Sequence, residues 1–320
     1  VQVRITGTGL AVPERVQTAA ELSPLVGRSE RWILSRTGVA ERRVCEGDHI
    51  ELAAEAARLA LGDGGPPDLL LNASLSPQQL IPDTSVFVAK ALGLSGITTW
   101  SVHATCLSTL PALQQASALI LAGAYRRVLI VAAEHGTRSR DMSHPESAVL
   151  IGDGAGAMLV EATPDGEASE ILAVRMRAFP EGSHLAEFRG GGVRCHPNDP
   201  ATTEADNLFR MNGPALYRMT WRRAEEVLDA LFEDAGLTRD DVDLVIPHQA
   251  SGPALAALPR FGFPEDKVVN LIPQYGNCIA ASLPMALATA HASGRLQRGQ
   301  TVLLLGTGAG LHVAGVLLRW

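Results

Sequence analysis

The chain has 320 residues, 46% of them apolar and 19% charged, so it is long enough for one large domain or two ordinary ones and apolar enough to bury a core. At a net charge of −7 its basic residues are scattered and nearly all arginine, Lys90 and Lys267 being the only lysines, which excludes a basic track for nucleic acid and disfavours Schiff-base chemistry. Cysteines 45, 106, 195 and 278 show neither close pairing nor metal-ligand spacing and no apolar run reaches membrane-spanning length, so no metal, no membrane and a reducing cytoplasmic setting are expected.

Residues 1–10 read as a strand ending in a Gly7-Thr8-Gly9 turn. Residues 29–44 then place Trp32 among Arg28, Arg31, Arg36, Arg42 and Arg43. An aromatic among arginines holds a nucleotide or phosphate by stacking and bidentate contact; the same composition also makes a solvated helix face. A helix is predicted over 50–61, a buried strand over 68–73, a helix over 84–92 and a short strand over 97–102. Next comes SVHATCLSTLPALQQASALILAGA at 101–124, where Leu107, Leu110, Leu113, Ala116, Leu119, Ile120 and Gly123 recur at helical spacing. Cys106 stands where strand gives way to helix. Unpaired amides at a helix start favour a thiolate, which makes Cys106 a candidate nucleophile; an inert buried cysteine is the alternative. Residues 127–133 (RVLIVAA) suit a central strand, 135–147 a polar loop, and GDGAG at 152–156 a turn feeding a strand.

The order then recurs. A strand at 171–174 and a helix at 220–235 precede DLVIP at 243–247, which matches 68–72; an Ala-rich helix at 279–293 stands where 107–123 stood. Residues 301–305 match 128–132, and GTGAGLHVAGVLL at 306–318 echoes GDGAGAMLVEA. This implies two similar α/β halves, 1–165 and 166–320, with mixed sheets flanked by helices and the two most apolar helices at the centre. Cys106, His248 in VIPHQAS and Asn277 in QYGNCIAAS then fall at loop-facing ends of core elements.

With WILSRTGVAERR, ATCLS, GDGAGAMLV, FRMNG, IPHQAS, YGNCIAASLPMAL and GTGAGLHVAGVLLRW, nearly the whole chain resembles the ketoacyl synthase III branch of the thiolase superfamily. The resemblance implies a layered αβαβα fold, a homodimer, and reaction with coenzyme A or phosphopantetheine thioesters, an acyl carrier protein among the partners, without a permanently bound cofactor. It makes Cys106 the acylated nucleophile in the half with residues 1–165, with His248 and Asn277 receiving the second substrate. The N–H groups of Cys106 and Gly310 would form the oxyanion hole. Trp32 and Arg36 match the contacts of the adenine end of coenzyme A, Asn212 matches a pantetheine contact, and Ile81 matches a residue lining the partner's acyl tunnel.

Some residues depart from the family. Thr105 and Leu107 flank the cysteine where smaller residues are usual; Leu107 either shapes the acyl tunnel or fills the core. Ser251 replaces an asparagine and Pro253 follows where an arginine is usual, so a carrier-protein thioester competes with coenzyme A as donor. Arg210, Arg218, Arg222 and Arg223 could meet an acidic carrier or form a solvated face, and the long Gly-rich loop 182–200 has no derivable role. Decarboxylative condensation with a malonyl-type thioester, in specialised polyketide or lipid synthesis, is the leading expectation. Acyl transfer to a hydroxyl, amine or carrier thiol, and condensation without decarboxylation, compete with it. A nucleotide-binding oxidoreductase would need a complete G-x-G-x-x-G opening a helix, which none of the glycine turns supplies, and a scaffold has no need of the three polar residues.

Overall fold

The computed structural model describes residues 1–320. Its first part comprises strands β1 (Val3–Ala11), β2 (Val16–Thr18), β3 (Glu41–Arg43), β4 (Leu69–Asn72), β5 (Thr98–Ser101), β6 (Arg127–Glu134) and β7 (Gly154–Ala162). Between them run helices α1 (Ala19–Val26), α2 (Glu30–Thr37), α3 (His49–Leu61), α4 (Thr84–Ala91), α5 (Thr109–Leu121) and α6 (Pro145–Ala148). The remainder supplies β8 (Glu170–Ala178), β9 (Ala186–Glu187), β10 (Arg210–Met211), β11 (Leu244–Pro247), β12 (Thr301–Gly308) and β13 (His312–Arg319). Its helices are α7 (Gly213–Ala235), α8 (Gly252–Leu255), α9 (Ile272–Tyr275) and α10 (Ser282–Ala292).

A strand such as β4, Leu-Leu-Leu-Asn with every residue buried, has no face to give to water and must lie between two layers. It pairs in parallel with β5 and β6 inside a five-stranded sheet of order β1-β7-β6-β4-β5. The second sheet runs β11-β12-β13-β8, with β11 and β12 parallel and the rest antiparallel. Beyond β11, a parallel bridge from Val245 to Val268 stands where β5 stands in the first sheet. Helix α3 covers the outer face of the first sheet and α7 the outer face of the second, while α5 and α10 lie between the sheets. The result is the layered αβαβα arrangement.

The middle layer is held by burial on every side. Leu107, Leu110 and Leu113 from the first part join Leu283, Met285 and Leu287 from the second in one apolar cluster with side chains of both sheets. Each such side chain contributes about 1.5–3 kcal/mol on leaving water.

Gly7-Thr8-Gly9 is not the turn expected from the sequence. It runs through β1, because the alanine-lined face of α3 comes so close that a Cβ on Gly7 or Gly9 would sit 1.9 Å from the carbonyl oxygens of Ala60 and Ala56. Helix α7 starts well before residue 220: Asn212 caps it, its Oδ1 accepting from Ala215 N at 3.1 Å, and Pro214 opens the first turn. No helix is long and apolar enough to cross a membrane.

Candidate active site

Between β5 and α5 the chain makes a tight 3₁₀ turn, Thr105–Leu107, that lifts Cys106 out of the helix. Thr105 has φ +52°, a conformation that costs a β-branched residue about 1–3 kcal/mol and persists only where surrounding contacts enforce it. The contacts are present. Thr105 Oγ1 donates to Ala309 O at 3.3 Å, Ser108 Oγ donates to Thr105 O at 2.7 Å, and Ala104 N donates to Ser108 Oγ at 2.9 Å.

Two backbone N–H groups converge on the Cys106 sulfur, its own and that of Ala309. The second donor is thus one residue ahead of Gly310, the position named from the sequence. Burial pushes the thiol up to about 12, the nearby Glu134 carboxylate adding to the rise and the two amides opposing it. This corrects the expectation of a thiolate favoured by a helix start: α5 proper begins only at Thr109, and desolvation outweighs the amides. Cys106 is surrounded by chain yet keeps some accessible surface.

His248 follows the last residue of β11, its N–H donating to Leu305 O at 2.7 Å. Burial alone drives its imidazole down to about 4, and Nδ1 is buried with no partner. At neutral pH the ring is therefore uncharged and offers one N–H. Its link to the nucleophile turn is Gly306, where a Cβ would lie 2.6 Å from Leu107 Cδ2 and 2.7 Å from His248 Cβ. Only glycine permits both side chains to close on that point.

Asn277 precedes the matching turn ahead of α10, Ile279–Ala281, where Ile279 has φ +47°. Its Oδ1 accepts from Ile279 N at 2.8 Å and its Nδ2 donates to Ala250 O at 3.3 Å, which fixes the orientation of the carboxamide. Ala250 N donates in turn to His248 O at 2.8 Å. The Cys106 turn packs on the turn that follows Asn277 and on β12, whose Gly306 also meets His248. Chemically the arrangement offers a soft nucleophile under two amide donors and, beside it, two neutral donors.

The residues named for the rest of the substrate are arranged less openly. Arg36 is already ion-paired with Glu146 at 3.0 Å, and Arg28 lies over the Trp32 ring at 5.4 Å. Asn212 and Ser251 each spend a side-chain oxygen on a helix cap, Ser251 accepting from Ala254 N at 3.3 Å. They do flank one apolar cluster of Val39, Leu150, Leu255 and Ile272, with Met211 against it, and Leu150 O accepts from Asn277 N at 2.9 Å. Leu107 is wholly buried against Gly306 and Gly308, whereas Ile81 is 84% exposed. Of the four arginines near α7, Arg210 pairs with Asp141 and Arg223 with Glu181 and Glu226, leaving Arg218 and Arg222 without ion-pair partners.

Two features escaped the sequence reading. Ala309 carries no side-chain chemistry and is visible only through its backbone. Glu134 ends the RVLIVAAE strand after the apolar run 128–133, and that acidic terminus was the available signal; it is fully buried and its charge reaches Cys106.

Comparison with known proteins adds a further layer. The profile described as 3-oxoacyl-[acyl-carrier-protein (ACP)] synthase III matches residues 101–180, and its C-terminal counterpart matches residues 232–320. The chain is 34% identical over 327 residues to the beta-ketoacyl-[acyl-carrier-protein] synthase III of Brucella anthropi, covering 99% of this chain and 98% of that protein. The crystal structure of 3-oxoacyl-[acyl-carrier-protein] synthase III from Aquifex aeolicus superposes with a TM-score of 0.89 at 34% identity, covering 99% of this chain and all of that one. Xanthomonas campestris OleA, at 23% identity and a TM-score of 0.87 over 100% of this chain and 97% of that one, shares the fold.

Proposed function

The chain belongs to the ketoacyl synthase III family of condensing enzymes, and from that membership we propose that it joins a Cys106-bound acyl group to a malonyl-type thioester by decarboxylative condensation. In the first half-reaction the Cys106 sulfur attacks an acyl thioester. A carbon–sulfur bond forms to the enzyme, the one to the donor breaks, and the thiol proton leaves with the donor thiol. The tetrahedral oxyanion takes the N–H groups of Cys106 and Ala309; losing one such donor costs about 2.7–4 kcal/mol. Because the resting thiol is held near 12, proton transfer accompanies attack, with His248 as the acceptor that relays it.

In the second half-reaction a malonyl-type thioester loses carbon dioxide. Its enolate is stabilised by the N–H of His248 and the NH₂ of Asn277. The enolate carbon attacks the acyl carbonyl, a carbon–carbon bond forms, and the Cys106 thiolate leaves and takes one proton from solvent. The observation that carries this reading is the neutral donor pair: simple acyl transfer to a hydroxyl, amine or thiol has no enolate to stabilise. Adding malonyl thioester to the acylated protein tests it by carbon dioxide release.

Arg36 committed to Glu146 and Ser251 committed to a cap favour a carrier-protein thioester over coenzyme A, with Trp32 and Asn212 beside its pantetheine arm. The unpaired Arg218 and Arg222 would meet the acidic carrier. The chain would act as two duplicated halves, 1–165 and 166–320, and as a homodimer that covers the exposed Leu80 and Ile81. The departures at Thr105, Leu107 and Ser251 support a role in specialised lipid or polyketide synthesis.

A further inference from the structure

The register of the two sheets makes Glu134 and Gly308 topological equivalents. In the first sheet Asn72 of β4 lies opposite Val131 of β6, and Glu134 stands three residues further along, on the last rung, opposite Gly154. In the second sheet Pro247 of β11 lies opposite Leu305 of β12, and Gly308 stands three residues further along, on the last rung, opposite His312. The turns that rest on these strand ends are crossed between the sheets. Thr105–Leu107 sits on β12, whereas Ile279–Ala281 sits on β6. Each turn opens with the only non-glycine residues of positive φ in the chain, Thr105 and Ile279, so Cys106 corresponds to Ala280.

At the first of these sites the strand end contributes no side chain, and the turn itself closes against it. Gly308 has no side chain, and a Cβ there would lie 2.8 Å from Thr105 Oγ1. At the second site the corresponding residue is a glutamate, and the turn packed on its strand end brings the N–H of Ala280, the counterpart of the N–H of Cys106, close enough to favour its charged form. The Glu134 carboxylate accepts from Leu75 N at 2.7 Å, Ser76 N at 3.0 Å and Ser76 Oγ at 2.7 Å. An anion buried at this depth is tolerable only when its oxygens are this fully hydrogen-bonded.

We propose that Glu134 is a positioning residue for the condensing step: its carboxyl group sits against the Ala280 N–H, the counterpart of one of the two oxyanion donors, while the counterpart of the other, the His135 N–H, donates to Ser76 Oγ at 3.3 Å, and so it holds the turn that aims Asn277. The chain of contacts is short. Glu134 fixes Ala280, its neighbour Ile279 donates to Asn277 Oδ1, and the Asn277 carboxamide is thereby held in its orientation. The charge also acts on the nucleophile, since a carboxylate close to Cys106 opposes formation of the thiolate. The other titratable groups around it are Cys278, His135 beside it in the chain, and His49, which reaches Ser76 O at 3.3 Å. This inference rests on the assignment of Cys106 and Asn277 above.

The test uses the full chain with Glu134→Gln and Glu134→Asp. In each, iodoacetamide labelling of Cys106 is followed across pH by peptide mass, and acyl-enzyme formation and malonyl-thioester decarboxylation are timed separately. Glu134→Gln removes the charge and puts an NH₂ against N–H donors. The labelling profile should move to lower pH, and decarboxylation should fall about 10²-fold while acylation falls far less. Glu134→Asp keeps the charge but withdraws it from Ala280, so decarboxylation should fall with the labelling profile held near that of the wild type. An unmoved profile in Glu134→Gln, or equal losses in both half-reactions in either folded variant, overturns the proposal. If the wild-type protein forms no acyl-enzyme, the assignment of Cys106 fails instead, and the labelling profile still tests the effect of the charge.

Discussion

The peptide N–H of Ala309, at the end of the last hairpin, faces the sulfur of Cys106, at the start of the central helix of the other sheet's half of the chain. The contact is braced by the Thr105 hydroxyl, which donates to the carbonyl of that same Ala309 at 3.3 Å. The Cys106 turn and the loop that follows β12, contributed by opposite sheets, are thus tied by one residue pair. Small displacements of either element should be felt in the first chemical step.

Gly308→Ala tests that tie. The new Cβ would meet Thr105 Oγ1 at 2.8 Å, forcing apart the pair that aligns the hole. The expected result is a fall of about 10²-fold in the rate of acyl-enzyme formation, equivalent to about 2.7 kcal/mol of lost oxyanion stabilisation. Unfolding free energy should change much less. Rapid-quench mass measurement gives the rate and chemical denaturation the stability.

Asn277→Asp separates the two half-reactions. Aspartate keeps the acceptor for Ile279 N but replaces the NH₂ with an oxygen facing Ala250 O and the developing enolate. Acylation of Cys106 should survive and carbon dioxide release from malonyl thioester should drop by about 10²–10³-fold, as for loss of one preorganised donor. Equal loss of both steps would point to a structural role.

Stability against pH carries a signature of two opposed groups. His248, held near 4 in the folded chain against an ordinary 6.5, contributes stability present above 6.5 and lost as pH falls toward 4, about 3 kcal/mol in full. Glu134, raised to about 7 from 4.5, binds its proton more tightly when folded, so stability rises as pH falls through that window. Between 4.5 and 6.5 the two slopes cancel. In that window Glu134→Gln should therefore lose stability as pH falls, and His248→Asn should gain it, in urea unfolding at stepped pH.

Arg218→Glu with Arg222→Glu addresses the donor. If an acidic carrier docks there, KM for a carrier-borne thioester should rise about tenfold or more at low salt, and the dependence of kcat/KM on ionic strength should weaken. KM for a coenzyme A thioester should shift much less.

Much of this was legible in the residues, and the failures have physical causes. Unbroken apolar runs such as 69–71 and 128–133 announced buried strands, and the helical spacing around Leu110 and Leu113 announced the central helix, because burial on both sides leaves no polar residue to mislead. Gly7 and Gly9 misled because glycine marks close approach as well as turns, and only the position of α3 decides between them. The Cys106 thiol misled because a helix start is local and desolvation is not: the atoms that bury it come from β12 and the loop after it. Ala309 was invisible for the same reason, its contribution being a backbone N–H placed by tertiary structure.

The most direct test of the central claim is the intact mass of the protein through one turnover. Incubated with an acyl thioester, the wild-type chain should gain a single acyl increment that Cys106→Ala does not gain. On addition of malonyl thioester that increment should vanish with release of carbon dioxide and appearance of a ketoacyl product. An increment of the same size on Cys106→Ala, or its discharge without carbon dioxide, would contradict the account.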